Sequence, residues 1–148
     1  MGVLQGLDLL IAVEELKTLQ SKRVRAVDTQ DWELYRSCHA DDFTSFTLAE
    51  PTQGIDLVIE GMKETLRGVR SAHHVMLPEF SFETKTRATG IWVLHDRLWW
   101  NQDGEEHWFE GWGHYNDGYE LRNGQWLFTS RRITRSRIEH SPGSRLTR

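Results

Sequence analysis

Residues Ser71-Ala72-His73-His74-Val75-Met76-Leu77-Pro78-Glu79-Phe80-Ser81-Phe82-Glu83 alternate polar and apolar side chains with the period of two that marks a β-strand. Pro78 inside this run predicts an edge position or a bulge, because proline cannot donate to a central ladder. From here to the end every signal is strand. Ala88–Trp100, Glu106–Leu121 and Gln125–Ile138 are long and rich in β-forming residues. Asn101-Gln102-Asp103-Gly104 and Arg122-Asn123-Gly124 supply the turns between them. Four successive strands joined by hairpins make an antiparallel meander. Gly111, Gly113 and Gly118 inside the third of them predict bending or close backbone approach.

Ahead of that stretch the pattern is mostly helical. Leu9, Val13, Leu16, Leu19 or Gln20, and Val24 or Val27 recur at helical spacing over residues 8–27, with Asp8 placed as an N-cap. The polar cluster Asp28-Thr29-Gln30-Asp31 should end this helix, and a shorter one should run from Trp32 to His39. Phe43–Leu48 reads as a short strand, residues 50–54 as a loop, and Ile55–Val69 as a third helix. Helices early and a meander late give the α+β class: three N-terminal helices packed on a strongly curved, mostly antiparallel sheet, a cone-shaped α+β barrel with an apolar mouth. Residues 1–140 should form a single domain and 141–148 a flexible tail.

Composition excludes several classes. A length of 148 residues with 38% hydrophobic and 27% charged residues fits one globular domain and not a disordered chain. A net charge of −4 offers no basic field for nucleic acid. Leu7–Val13 is an apolar start without a basic flank or cleavage signal, and Glu14-Glu15 cut it short, so no signal peptide or membrane span is expected. One cysteine, Cys38, excludes an internal disulfide and fits a reducing cytoplasm. Seven tryptophans are many for this length, and five fall between residues 92 and 126. On neighbouring strands they would line a pocket or cover an interface.

His73 and His74 are the candidate proton carriers near neutral pH. Adjacent strand residues face opposite ways, so only one of them can enter a given pocket; both could also be plain polar residues near an edge. Asp28 stands where a carboxylate meets the negative end of a helix dipole. It is either a cap for the second helix or an acid needed by something else.

The junction Val27-Asp28-Thr29-Gln30-Asp31-Trp32, the Ala72-His73-His74 opening and Ala88-Thr89-Gly90-Ile91-Trp92 come in a telling order. Gly111-Trp112-Gly113-His114-Tyr115-Asn116-Asp117-Gly118-Tyr119 follows, then Gly124-Gln125-Trp126 leading into Arg131. In this order, over residues 10–138, the chain resembles the SnoaL-like group of the nuclear transport factor two-like superfamily. Its pattern is that of enzymes of the scytalone dehydratase and hexachlorocyclohexane dehydrochlorinase type. The resemblance implies a catalytic dyad of His73 and Asp28, with Tyr115 and Arg131 as substrate-binding residues on the last two strands. His74 and Trp92 complete the expected substrate-binding set. It also implies a homodimer or higher homo-oligomer through the open sheet face, using some of Trp99, Trp100, Trp108 and Trp112. The tyrosine pair of scytalone dehydratase has no secure match, so that mechanism does not transfer whole.

No histidine pair has zinc spacing, no Cys-x-x-Cys is present, and the phosphate-loop and nucleophile-elbow motifs are missing. The sequence thus points to a lyase or isomerase working without cofactor or metal. Its substrate would be a hydrophobic, cyclic, oxygenated small molecule of polyketide or steroid-like kind; the residues leave loss of water and double-bond migration both open, and the resemblance leans to loss of water. The alternative is a non-catalytic binding or dimerisation module of the same fold.

Overall fold

The computed structural model describes residues 2–148. Helix α1 (Gly6–Thr29) buries Ala12, Leu16, Leu19, Ala26 and Val27 along one stripe, and Gln20 and Arg23 are buried among them. Asp8 lies inside its first turn rather than at the cap; Gln5 holds that position without a side-chain bond. A carboxylate in the first turn still suits the positive end of the dipole. Gln30, in the left-handed conformation (φ 53°), stops the helix. Its side chain donates to the carbonyls of Leu66 (3.0 Å) and Val69 (2.9 Å), tying α1 to the end of the third helix.

Asp31 caps α2 (Trp32–Ser37) by accepting the Leu34 N–H at 3.0 Å. Asp28 therefore lies within the last turn of α1 and caps nothing. Helix α2 ends at Ser37 rather than His39, because His39 already pairs with the last strand. Then follow β1 (His39–Ser45), β2 (Thr52–Gln53), α3 (Ile55–Thr65), β3 (Arg70–Thr84), β4 (Arg87–Gln102), β5 (Glu105–Arg122) and β6 (Gln125–His140).

The six strands lie in the order β2-β1-β6-β5-β4-β3. All pairs are antiparallel except β1 with β6. The α+β class and the curled, mostly antiparallel sheet expected from sequence are present, but the sheet is not closed: β2 and β3 are free edges. β3 is the edge strand that Pro78 requires, and its pairing with β4 breaks between Met76 and Glu79, where Leu77 has φ 52°. The bulge comes after the histidines. His73 therefore pairs in unbroken register with Asp96, and His74 with His95.

Helices and inner sheet face enclose a core in which Leu16 and Phe128 are 0% exposed. Each such side chain contributes about 1.5–3 kcal/mol. Two glycines of β5 let β6 come close. A Cβ on Gly113 would enter the carbonyl of Thr134, and one on Gly111 would strike the Arg135 guanidinium. The first obstacle is backbone and cannot give way; the second is a side chain that the site below uses.

The tryptophans divide. Trp92, Trp100 and Trp126 are buried, whereas Trp99, Trp108 and Trp112 lie half-buried on the outer face. Trp100, expected as an interface residue, belongs to the core. Residues 141–148 form no strand or helix, yet they are tied down. Ser141 exchanges bonds with Trp108 and His107, and Gly143 accepts from the Gln102 side chain at 2.8 Å. No helix among the described residues is long and apolar enough to cross a membrane.

Candidate active site

Between α1, α3 and the inner sheet face lies a cavity of about 290 Å³. Its walls are apolar, among them Val27, Val58, Leu98 and Ile133, and Leu48 and Leu57 stand exposed beside it. Its polar lining comprises Arg23, Tyr35, His73, Asp96, Tyr115 and Arg131 with a few hydroxyls. None of the seven tryptophans lines it. A larger open groove of about 610 Å³ beside α1 and the β5–β6 turn holds no histidine and no buried acid. The smaller cavity has both, His73 and Asp96.

His73 points inward, its side chain 11% exposed. Its Nδ1 stands 2.6 Å from Asp28 Oδ1, and its backbone N–H donates to Asp28 Oδ2 at 3.0 Å. The Ser71 hydroxyl donates to Asp28 as well, at 2.8 Å. Three donors thus offset the unfavourable helix-end position of this carboxylate. Burial pushes the Asp28 carboxyl up, but the hydrogen bonds and charge of His73, with Ser71, outweigh it and hold it below its ordinary value. An ionised carboxylate can only accept, so Nδ1 carries the proton in this contact. Nε2 is left facing Asp96, whose Oδ2 lies 4.0 Å away. Asp96, directly opposite on β4, is itself held by Arg135, through a short Nη1 contact and a 3.0 Å bond from Nη2.

A second polar cluster borders the same cavity. Arg131, 2% exposed, donates to Asp117 from Nε (2.6 Å) and Nη2 (2.8 Å). Gln20 bridges both, accepting from Arg131 at 3.1 Å and donating to Asp117 at 3.1 Å. Tyr119 completes it with a 3.2 Å bond to Asp117. Burial first, then the Asp117 charge, hold the Tyr119 phenol well above its usual range, so it stays a donor. The Arg131 guanidinium also stacks on Tyr115, 3.6 Å from the ring centroid.

Of the six residues singled out from sequence, His73, Tyr115 and Arg131 line the cavity and Asp28 holds His73 from behind. The other two do not. His74 is exposed on the opposite sheet face, stacked on His95 (5.5 Å), which stacks on Trp112 (5.2 Å). Strand parity sends it there once His73 faces in. Trp92 packs behind Tyr115 and donates to the Tyr119 hydroxyl at 2.8 Å. It borders, with His74, only a shallow groove between α1 and β3. Asp96, Arg23, Asp117, Gln20 and Arg135 were missed. Their signal was a charged or amide side chain at a position where the apolar alternation demands a hydrophobic one.

A family model described as a SnoaL-like domain matches residues 8–132. The chain belongs to the SnoaL-like domain family. The overall shape agrees with this membership. A putative scytalone dehydratase from Novosphingobium aromaticivorans superposes with a TM-score of 0.80, at 16% identity, over 89% of each chain. A type 3 hexachlorocyclohexane dehydrochlorinase from Novosphingobium barchaimii gives 0.79, at 17% identity, over 96% of this chain and 98% of that one. A Mycobacterium tuberculosis protein of unknown function gives 0.74, at 21% identity, over 88% and 75%. At these identities the likeness is one of fold. This SnoaL-like chain carries the nuclear transport factor two-like architecture, and its chemistry has to be argued from its own residues.

Proposed function

We propose that the chain is a lyase or isomerase, working without a cofactor, in which His73 takes a proton from carbon. The observation that supports this is the Asp28–His73 contact: it occupies Nδ1 and leaves Nε2 unbonded at the cavity wall, on the side of Asp96. The substrate is a small cyclic oxygenated compound, and about 290 Å³ suits one or two rings better than a steroid. Proton removal next to a carbonyl gives an enolate and an imidazolium. Asp28 stabilises that imidazolium, and Asp96 stands on its other side. The Tyr115 hydroxyl donates to the enolate oxygen, with the Arg131 charge behind its ring. His73 then returns the proton, either to a departing β-hydroxyl (loss of water) or to a distant carbon (double-bond migration). The family resemblance favours loss of water. Two copies of the chain pair through the outer sheet face, where Arg97 lies between Trp99 and Trp108, 5.4 Å from each ring. Buried Cys38 suits a cytoplasmic setting.

The test is a panel of cyclic β-hydroxyketones in heavy water, followed for deuterium uptake at the α-carbon and for the enone absorbance. His73→Gln should lower the rate by about 10²–10⁴, the usual contribution of a positioned base. A wild-type protein that exchanges none of them, or a variant that keeps full activity, would leave only the binding-module reading.

A further inference from the structure

Each acid around the cavity has its own partner. Asp28 is held by His73, Asp96 by Arg135 and Asp117 by Arg131. One guanidinium has no acid bonded to it. Arg23 is 6% exposed and lines the cavity, yet none of its nitrogens bonds a carboxylate among the described residues. Its hydrogen bond is a long one, 3.4 Å, to the neutral Tyr35 hydroxyl. Otherwise it packs on rings, its guanidinium carbon 5.3 Å from Tyr35, 5.3 Å from Tyr115 and 6.0 Å from Phe128. Its Nε is buried without a partner, and so is Nη1 of Arg131. The two guanidiniums are neighbours, for Arg131 packs on the same Tyr115 and Phe128 rings. The Arg23 charge is felt nearby. Buried His39 is held well below its ordinary pKa by burial first and then by Arg23.

The Asp117 charge reaches Arg23 at a distance, but a buried guanidinium with no carboxylate bonded to it leaves N–H donors unsatisfied, at a cost. Guanidinium N–H groups in a fixed fork suit a carboxylate above other ligands. The walls around them are apolar, and the volume admits one or two rings. We propose that the cavity takes a monoanionic substrate, a small apolar ring compound bearing one carboxylate, which docks on Arg23 beside the unpaired Nη1–H of Arg131. This rests on reading the cavity as the substrate site, and it makes Arg23 the residue that selects acids over their neutral counterparts.

The experiment titrates cyclohexene-1-carboxylate and 2-naphthoate, each beside its neutral carboxamide, against protein labelled with ¹⁵N at arginine, reading the Arg23 Nε–H signal. The carboxylates should move that signal saturably and bind about ten-fold tighter or more than the amides. Arg23→Met should erase the preference while the protein stays folded, because an apolar chain replaces an unpaired buried charge. His73→Gln should keep it, which separates this site from the catalytic reading. Equal binding of acid and amide, a preference surviving in Arg23→Met, or no saturable shift with any of the four would each overturn the proposal. A clear preference in a protein that removes no proton from carbon would sustain it and sink the catalytic reading alone.

Discussion

Asp117→Asn is expected to lower the unfolding free energy by about 3–5 kcal/mol, the usual cost of removing one partner from a buried ion pair. The Asp117 side chain is 0% exposed and gathers bonds from Arg131 Nε and Nη2, Gln20 and Tyr119. Asparagine keeps the volume but loses the charge and turns one acceptor into a donor facing other donors. Arg131 would then be unpaired next to Arg23, two cations in one desolvated region. Against a typical total of about 5–15 kcal/mol, this is a large share of the stability. Urea unfolding of the wild type, Asp117→Asn, and the double variant Asp117→Leu/Arg131→Met measures it. The double variant should recover most of the loss, since removing both charges costs far less than stranding one. A single variant within about 1 kcal/mol of wild type would mean that water reaches the cluster and that the charge is not desolvated.

Asp28→Asn should reduce turnover by about 10²–10⁴ with little change in fold. The Asn side chain has one oxygen to serve Nδ1–H, the His73 backbone N–H and the Ser71 hydroxyl, all of which now donate to the carboxylate. If its NH₂ turns toward His73, the ring takes the other tautomer, and Nε2 holds the proton it should accept. The same substitution has a pH signature. The folded carboxyl lies below its ordinary value, so its contribution to stability is present above the unfolded pKa of about 3.9 and is lost as pH falls through the folded one. The melting-temperature gap between wild type and Asp28→Asn should close as pH falls below about 4. A gap that widens below about pH 4 would contradict the sign.

Strands and their order were legible because the period-two pattern is strong from Ser71 onward. β3 to β6 end within a few residues of where the alternation places them. β1 was harder. Its partner is β6, the last strand, in a parallel pair, and no local pattern announces so distant a neighbour. His39 and Ala40 therefore read as the end of a helix although they lie in a strand. The dyad residues were nameable only through the family pattern, since parity allowed either histidine inside. What settles the facing is the pairing of His73 with inward-facing Asp96, and the bulge at Leu77–Pro78 comes after both histidines and disturbs neither. Trp92 was expected in the pocket, yet it fills space behind Tyr115. The buried charges were visible in principle. Asp96 interrupts Trp92, Leu94, Leu98 and Trp100 on the inward face of β4, and Asp117 lies between Tyr115 and Tyr119 on that of β5. Charged residues at such positions need partners, and looking for the partners leads to Arg135 and Arg131.

If the Asp28 carboxylate accepts from Nδ1–H, it fixes the tautomer of His73 and leaves Nε2 without a proton in the cavity. Nitrogen NMR of ¹⁵N-histidine protein, followed upward in pH until the His73 signals stop changing, reads it directly. The expected result is a protonated, slowly exchanging Nδ1 on His73 and an unprotonated Nε2, with that pattern lost in Asp28→Asn. A His73 ring that carries its proton on Nε2, or that looks the same in both proteins, would contradict it.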